Sequence, residues 1–139
     1  MTTLTRIDIQ KIEEYWMNHE ANKKQLKFRE WELLNPHKET EVDTGISGGG
    51  ISNTTQQKAF LLVEDKLYQN LKHIINVIDG MYHELDTETK TIVEMRYRDK
   101  EGNCYEWEEI ADKLFLSRSK VLRKRNMLID ETAKRIGWV

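Results

Sequence analysis

Apolar residues recur at helical rather than strand spacing along most of the chain. Ile9, Ile12, Trp16, Leu26 and Leu33 fall near one face at helical spacing, interrupted by His19, Lys23 and Glu30. Thr5 followed by Asp8 has the form of a capping box, and Asn35-Pro36 is a stop signal. Together they predict a long amphipathic helix over Thr5 to Leu34, with a stripe imperfect enough to imply a bend. A second stripe runs through Phe60, Val63, Leu67, Leu71, Ile74, Ile78, Met81 and Leu85, behind a Thr54–Gln57 capping pattern. It predicts a central helix through about Glu84. Leu61, Leu62, Ile75, Val77 and Tyr82 make the stripe wider than a two-stranded seam. That width suits a core helix packed on the first one, and equally a dimer interface.

Asp86 opens a further predicted helix, about Thr87 to Arg98, carrying Ile92, Val93, Met95 and Tyr97, with a polar turn containing Gly102 over Asp99 to Asn103. Next comes the stretch from Trp107 to Arg125. Ile110, Ala111 and Leu114 give a short helix one inward face, and Ala111 is small where two helices must come close. Leu116 is a plug, Ser117 a candidate N-cap, and Val121 points back toward Ala111. The last helix is predicted from Arg118 to Ile136, with Gly137 as its stop. A short apolar helix, a tight connection, a Ser cap and a basic helix make the sequence form of a helix-turn-helix. Glycine often stands at the turn position that Phe115 holds here, so the geometry of this turn is the open point of the motif.

Composition narrows the fold class. The single Pro is Pro36, and four of the seven Gly lie between Gly45 and Gly50, which favours an all-α fold. Gly48-Gly49-Gly50 has neither a preceding strand nor a following Lys-Ser or Lys-Thr, so it reads as a hinge or linker rather than a phosphate-binding loop. The expected organisation is all-α: an N-terminal helix over 1–36, a flexible Gly-rich linker over 37–53, a central amphipathic helix over 54–85 that is a candidate for oligomerisation, and a C-terminal helix-turn-helix module over 86–139. No apolar run is long enough to span a membrane, and no secretion signal is apparent, so the expected location is the cytoplasm.

Charge locates the candidate chemistry. The net charge is −2, so nucleic-acid binding would need a local patch. The stretch from Ser117 to Met127 holds five Lys or Arg and no acid. On a helical wheel Val121, Leu122, Leu128, Ile129, Ala133 and Ile136 share one broad arc, and Ser119, Lys120, Arg123, Lys124 and Met127 the opposite one. With Ser117 and Arg118 at the helix start, these seven are the candidate DNA-binding residues. Lys120 and Arg123 suit guanine edges or phosphates, and Lys124 and Arg118 suit phosphates. Arg125 falls inside the apolar arc, where it must snorkel or pair with an acid such as Glu109 or Glu94. The alternative for the whole run is a solvated helical face.

Catalytic and metal chemistry find no support. His19, His37, His73 and His83 are scattered, and no His/Cys/Asp/Glu spacing matches a zinc site. Cys104, the one cysteine, lacks a positioned base and cannot form an internal disulfide. Glu106, Glu108 and Glu109 favour a helix dipole rather than catalysis. Trp16, Trp31, Trp107 and Trp138 read as core or interface residues. No enzyme activity, cofactor or metal is expected.

Leu85-Asp86, Lys90, Ile92-Val93 and Tyr97, followed by Trp107, Ile110-Ala111, Leu114, Leu116-Ser117 and Val121, resemble sigma-factor region 4. Over nearly its full length the chain resembles the RinA family of phage late transcriptional activators. Asn35-Pro36, Asp43-Thr44-Gly45 and Gly48-Gly49-Gly50 follow that layout in order; no role is assigned to Asp43. The resemblance implies a phage- or prophage-encoded activator of late genes in a bacterial cell. It would dock on a promoter region and help host RNA polymerase start; the basic helix and the apolar central helix add a double-stranded promoter or operator as the expected partner and a homodimer as the expected state. Two other functions fit the same elements: a small-terminase-like subunit that recognises DNA for packaging, and a sigma-like protein that meets polymerase without a DNA site of its own.

Overall fold

The computed structural model describes residues 3–35, 54–98 and 104–138. The expected Gly-rich linker, the Pro36 stop, the Thr54 cap and the 99–103 turn lie outside the described residues or side chains. Among the described residues there are seven helices and no strand: α1 (Arg6–Met17), α2 (His19–Leu34), α3 (Thr54–Glu64), α4 (Lys66–Glu84), α5 (Thr87–Tyr97), α6 (Trp107–Leu114) and α7 (Arg118–Ile136). The fold is all-α. No helix among these residues is long and apolar enough to cross a membrane.

Local chemistry accounts for the helix ends. The Thr5 hydroxyl accepts from the Asp8 N–H at 3.1 Å while the Asp8 carboxylate accepts from the Thr5 N–H at 2.9 Å, completing the capping box that opens α1. The first predicted helix divides at Asn18, whose N–H still bonds the Glu14 carbonyl at 2.8 Å. The second divides at Asp65. Its carboxylate accepts from the Tyr68 N–H at 2.8 Å, taking a backbone donor in the manner of an N-cap.

Two compact units are present. The first comprises 1–20 with 74–139, the second 21–73. They do not follow the expected boundaries at 36, 53 and 85. An amphipathic stripe says that a face is buried but not against what, and α1 is buried against α5 and α7. The core of the first unit joins Ile12 and Trp16 of α1, Ile78 and Met81 of α4, Val93 and Tyr97 of α5, and Leu128, Ile129 and Ala133 of α7. Full burial of each large apolar side chain contributes roughly 1.5–3 kcal/mol. The Trp16 indole N–H donates to the Thr132 hydroxyl at 3.1 Å, and that hydroxyl donates to the Leu128 carbonyl at 2.7 Å. Of the expected α7 arc Val121, Leu128, Ile129 and Ala133 are buried, with Thr132 added, while Leu122 and Ile136 are half-buried.

His19 corrects the expected pattern. It stands at i+7 from Ile12 and i+3 from Trp16, so it continues the buried face instead of interrupting it. Its Nε2 lies 2.7 Å from Asp79 Oδ1, a pairing that lets a polar ring be buried.

In the second unit Arg29 grips Asp65 with both arms of its fork, Nε to Oδ2 at 3.0 Å and Nη2 to Oδ1 at 2.6 Å. The apolar positions there are largely uncovered. Phe60 is 63%, Val63 66% and Leu67 54% exposed, and Phe28 stacks on Trp31 with both rings half in solvent. Trp31 is thus not a core residue of the single chain.

Candidate nucleic-acid interface

The α6–α7 pair is closed by a small core of its own, Ile110 and Ala111 from α6, Val121 from α7 and Ile92 from α5, with Leu114 and Leu116 packed against it. This is the expected inward face, and Val121 shares it with Ala111. The connection is three residues long. The Leu116 N–H bonds the Ala111 carbonyl at 2.9 Å and the Phe115 N–H bonds the Asp112 carbonyl at 3.3 Å, a Schellman motif. Its left-handed position is Phe115, with φ 57° and ψ 41°. The turn geometry that glycine commonly supplies is thus kept without glycine, at a conformational cost of roughly 1–2 kcal/mol. The ring gains nothing in packing, being 95% exposed.

Ser117 then caps α7. Its hydroxyl accepts from the Lys120 N–H at 3.1 Å, leaving the side chain committed to the helix end. Beyond it the candidate face divides. Arg118, Ser119, Lys120 and Arg123 are exposed. Arg118 lies 3.8 Å from Glu108 and Lys120 4.0 Å from Glu88, both loose surface pairs worth little. Arg123 makes no ion pair among the described residues.

Lys124 differs from the expectation of an open phosphate contact. Its side chain is 18% exposed and its Nζ stands 2.9 Å from Asp86 Oδ2 and 3.3 Å from Glu88 Oε1. The hydrogen bond to Asp86 raises its pKa, so it remains charged. Its wheel position faces out from α7 alone, but the N-terminal end of α5 lies there. Met127 is exposed and borders a cavity of about 420 Å³ that Met81, Leu85 and Lys124 also line.

Arg125 is held inward, though by neither acid expected. Its Nε donates to Glu13 Oε2 at 3.2 Å, and its guanidinium lies 5.6 Å from the centre of the Trp107 ring. The same Glu13 oxygen accepts the Tyr97 hydroxyl at 2.6 Å. Burial first, then this carboxylate, pushes the Tyr97 hydroxyl well above the usual phenol range. One acid of α1 thereby fixes side chains of α5 and α7 behind the basic face.

Asp86 and Glu88 are the residues that pattern reading missed here. They precede Lys124 by 38 and 36 positions, and only the cap at Asp86 is visible locally. No group of three or more His, Cys, Asp or Glu among the described residues is placed to hold a metal ion.

Residues 6–134 match the sequence family described as "Protein of unknown function (DUF722)". No curated protein and no solved structure matches the chain.

Proposed function

We propose that this chain, which belongs to the DUF722 family, is a sequence-specific DNA-binding transcriptional activator of phage or prophage late genes, acting as a homodimer beside bacterial RNA polymerase. The observation that carries the reading is the exposed row of Arg118, Ser119, Lys120 and Arg123 on a Ser-capped helix, seated on a short helix through Ile110, Ala111 and Val121. A helix so mounted fits a major groove about 12 Å wide, where Arg and Lys bond guanine edges and phosphates.

Lys124 serves this reading as a brace, and Arg123 as the contact. Each phosphate contact adds about −0.9 to the slope of log affinity against log salt for B-DNA. Arg123→Ala should flatten that slope by about one. Lys124→Ala should change it by much less.

Selection of bound sequences from a random duplex pool, with solution mass measured alongside, tests the whole. An enriched palindrome with half-sites about 34 Å apart supports a dimeric reader. A ring of many subunits favours the packaging role instead. Salt-sensitive retention of polymerase with no duplex binding favours the sigma-like role.

A further inference from the structure

Phe115 is a residue that the fold has no use for. Two Schellman motifs close this part of the chain. At the end of α7 the Trp138 N–H bonds the Ala133 carbonyl at 2.8 Å around Gly137, whose φ is 94°. At the end of α6 the same pattern turns around Phe115, the only non-glycine residue with positive φ among those described. Glycine takes the left-handed position without penalty, and the chain uses it at the second site. At the first it carries a phenyl ring that is 95% exposed. Backbone strain and an uncovered aromatic ring at one residue point to a ligand that the ring meets.

The surroundings indicate which ligand. Phe115 stands two residues before the Ser117 cap, at the mouth of the basic face. Lys113, Arg118, Lys120 and Arg123 carry four exposed positive charges around the turn, and Glu108, Glu109 and Asp112 three exposed negative ones. Arg118, Lys120 and Arg123 belong to the exposed row that the DNA reading uses, and the turn leads directly into it, which sets the ring beside a polyanion. A polyanion that also offers hydrocarbon is DNA, through the thymine 5-methyl group in the major groove and the faces of deoxyribose.

We propose that Phe115 is an apolar contact of this face with DNA, its ring seated on thymine methyl or deoxyribose hydrocarbon at the edge of the bound site. The inference rests on the DNA-binding reading above. It adds a specificity-determining residue in the connection, outside the basic helix.

The test uses the full chain and the duplex it enriches from a random pool, synthesised once with thymine and once with deoxyuridine throughout. Phe115→Gly removes the ring and relieves the left-handed strain, so its thermal midpoint should equal or exceed the parent's, and reduced binding is then not unfolding. Phe115→Ala removes the ring and keeps the strain, and should bind as Phe115→Gly does. If the ring meets a thymine methyl, the parent loses about fourfold in affinity per contacted methyl on the deoxyuridine duplex, and both variants lose that discrimination. If it meets deoxyribose, both variants bind the two duplexes equally more weakly than the parent. Parent-like binding of both duplexes by both variants overturns this inference alone. No duplex binding by the parent overturns the DNA reading and this inference with it.

Discussion

Lys124 Nζ lies 2.9 Å from Asp86 Oδ2, a bond that ties the basic helix α7 to the residue capping α5. Asp86 therefore does two things with one carboxylate. Oδ1 accepts from the Thr89 N–H at 2.8 Å and Oδ2 holds Lys124.

The Thr89 side chain first, then Lys124 and the Thr89 N–H, hold the Asp86 carboxyl at about 2 against an ordinary 3.8. A carboxyl with a depressed folded pKa resists protonation in the folded state. Its contribution to stability is present in full above about 3.8 and is lost as pH falls toward about 2. Asp86→Asn keeps a capping oxygen and removes the titration, so its urea midpoint should fall less steeply than the parent's between those values. Parallel profiles would contradict this. Asp86→Ala should lose about 1 kcal/mol at neutral pH through the missing cap.

Glu13 is expected to be worth more to the fold than a surface acid. Removing it leaves the buried Tyr97 hydroxyl and the Arg125 guanidinium without their shared acceptor. Glu13→Ala should cost about 2 kcal/mol in urea unfolding, and Tyr97→Phe about 1 kcal/mol. The double variant should cost less than the two losses added, because both remove the same bond.

Thr132→Val nearly preserves shape and removes the acceptor for the Trp16 indole N–H. A buried donor left unpaired costs about 1–3 kcal/mol. Thr132→Ser, which keeps the hydroxyl, should lose less. Equal losses for Val and Ser would mean that packing, not the bond, holds Trp16.

The proposed homodimer would cover the exposed row of Phe60, Val63 and Leu67. Leu67→Glu should shift the sedimentation equilibrium toward monomer by about tenfold or more, from the loss of one buried leucine per protomer. Its α-helical circular dichroism should be little changed. A parent that sediments as a monomer at all concentrations would remove the homodimer from the proposed function.

What could be read from the chain alone is local. The Thr5–Asp8 box, the Asp86 and Ser117 caps and the Gly137 stop each depend on residues within a few positions, and each is present. The inward face of Ile110, Ala111 and Val121 follows from a period that neighbouring residues express. Pairings across the chain left no such trace. Arg125 needed an acid, but nothing in the periodicity selects Glu13, 112 positions away, over Glu109 or Glu94. His19 looked like a polar interruption because Asp79 is 60 positions distant. Lys124 pointed outward on an isolated wheel because a wheel contains one helix. The compact units were hidden for the same reason: stripe and cap signals mark faces and ends, and the pairing of α1 with α7 is neither.

The bond between Trp16 and Thr132 also sets an order in time. The two residues are 116 positions apart, and the core of the first unit closes around them. At about 5–20 residues per second of synthesis, α1 waits roughly 6–23 s for α7 to be made. During that interval Ile12 and Trp16 have no native partners from α7, and contacts of such separation close slowly even afterwards. The basic helix is thus made after the other helices of its core, and its mounting depends on an α1 residue translated 116 positions before its α7 partner.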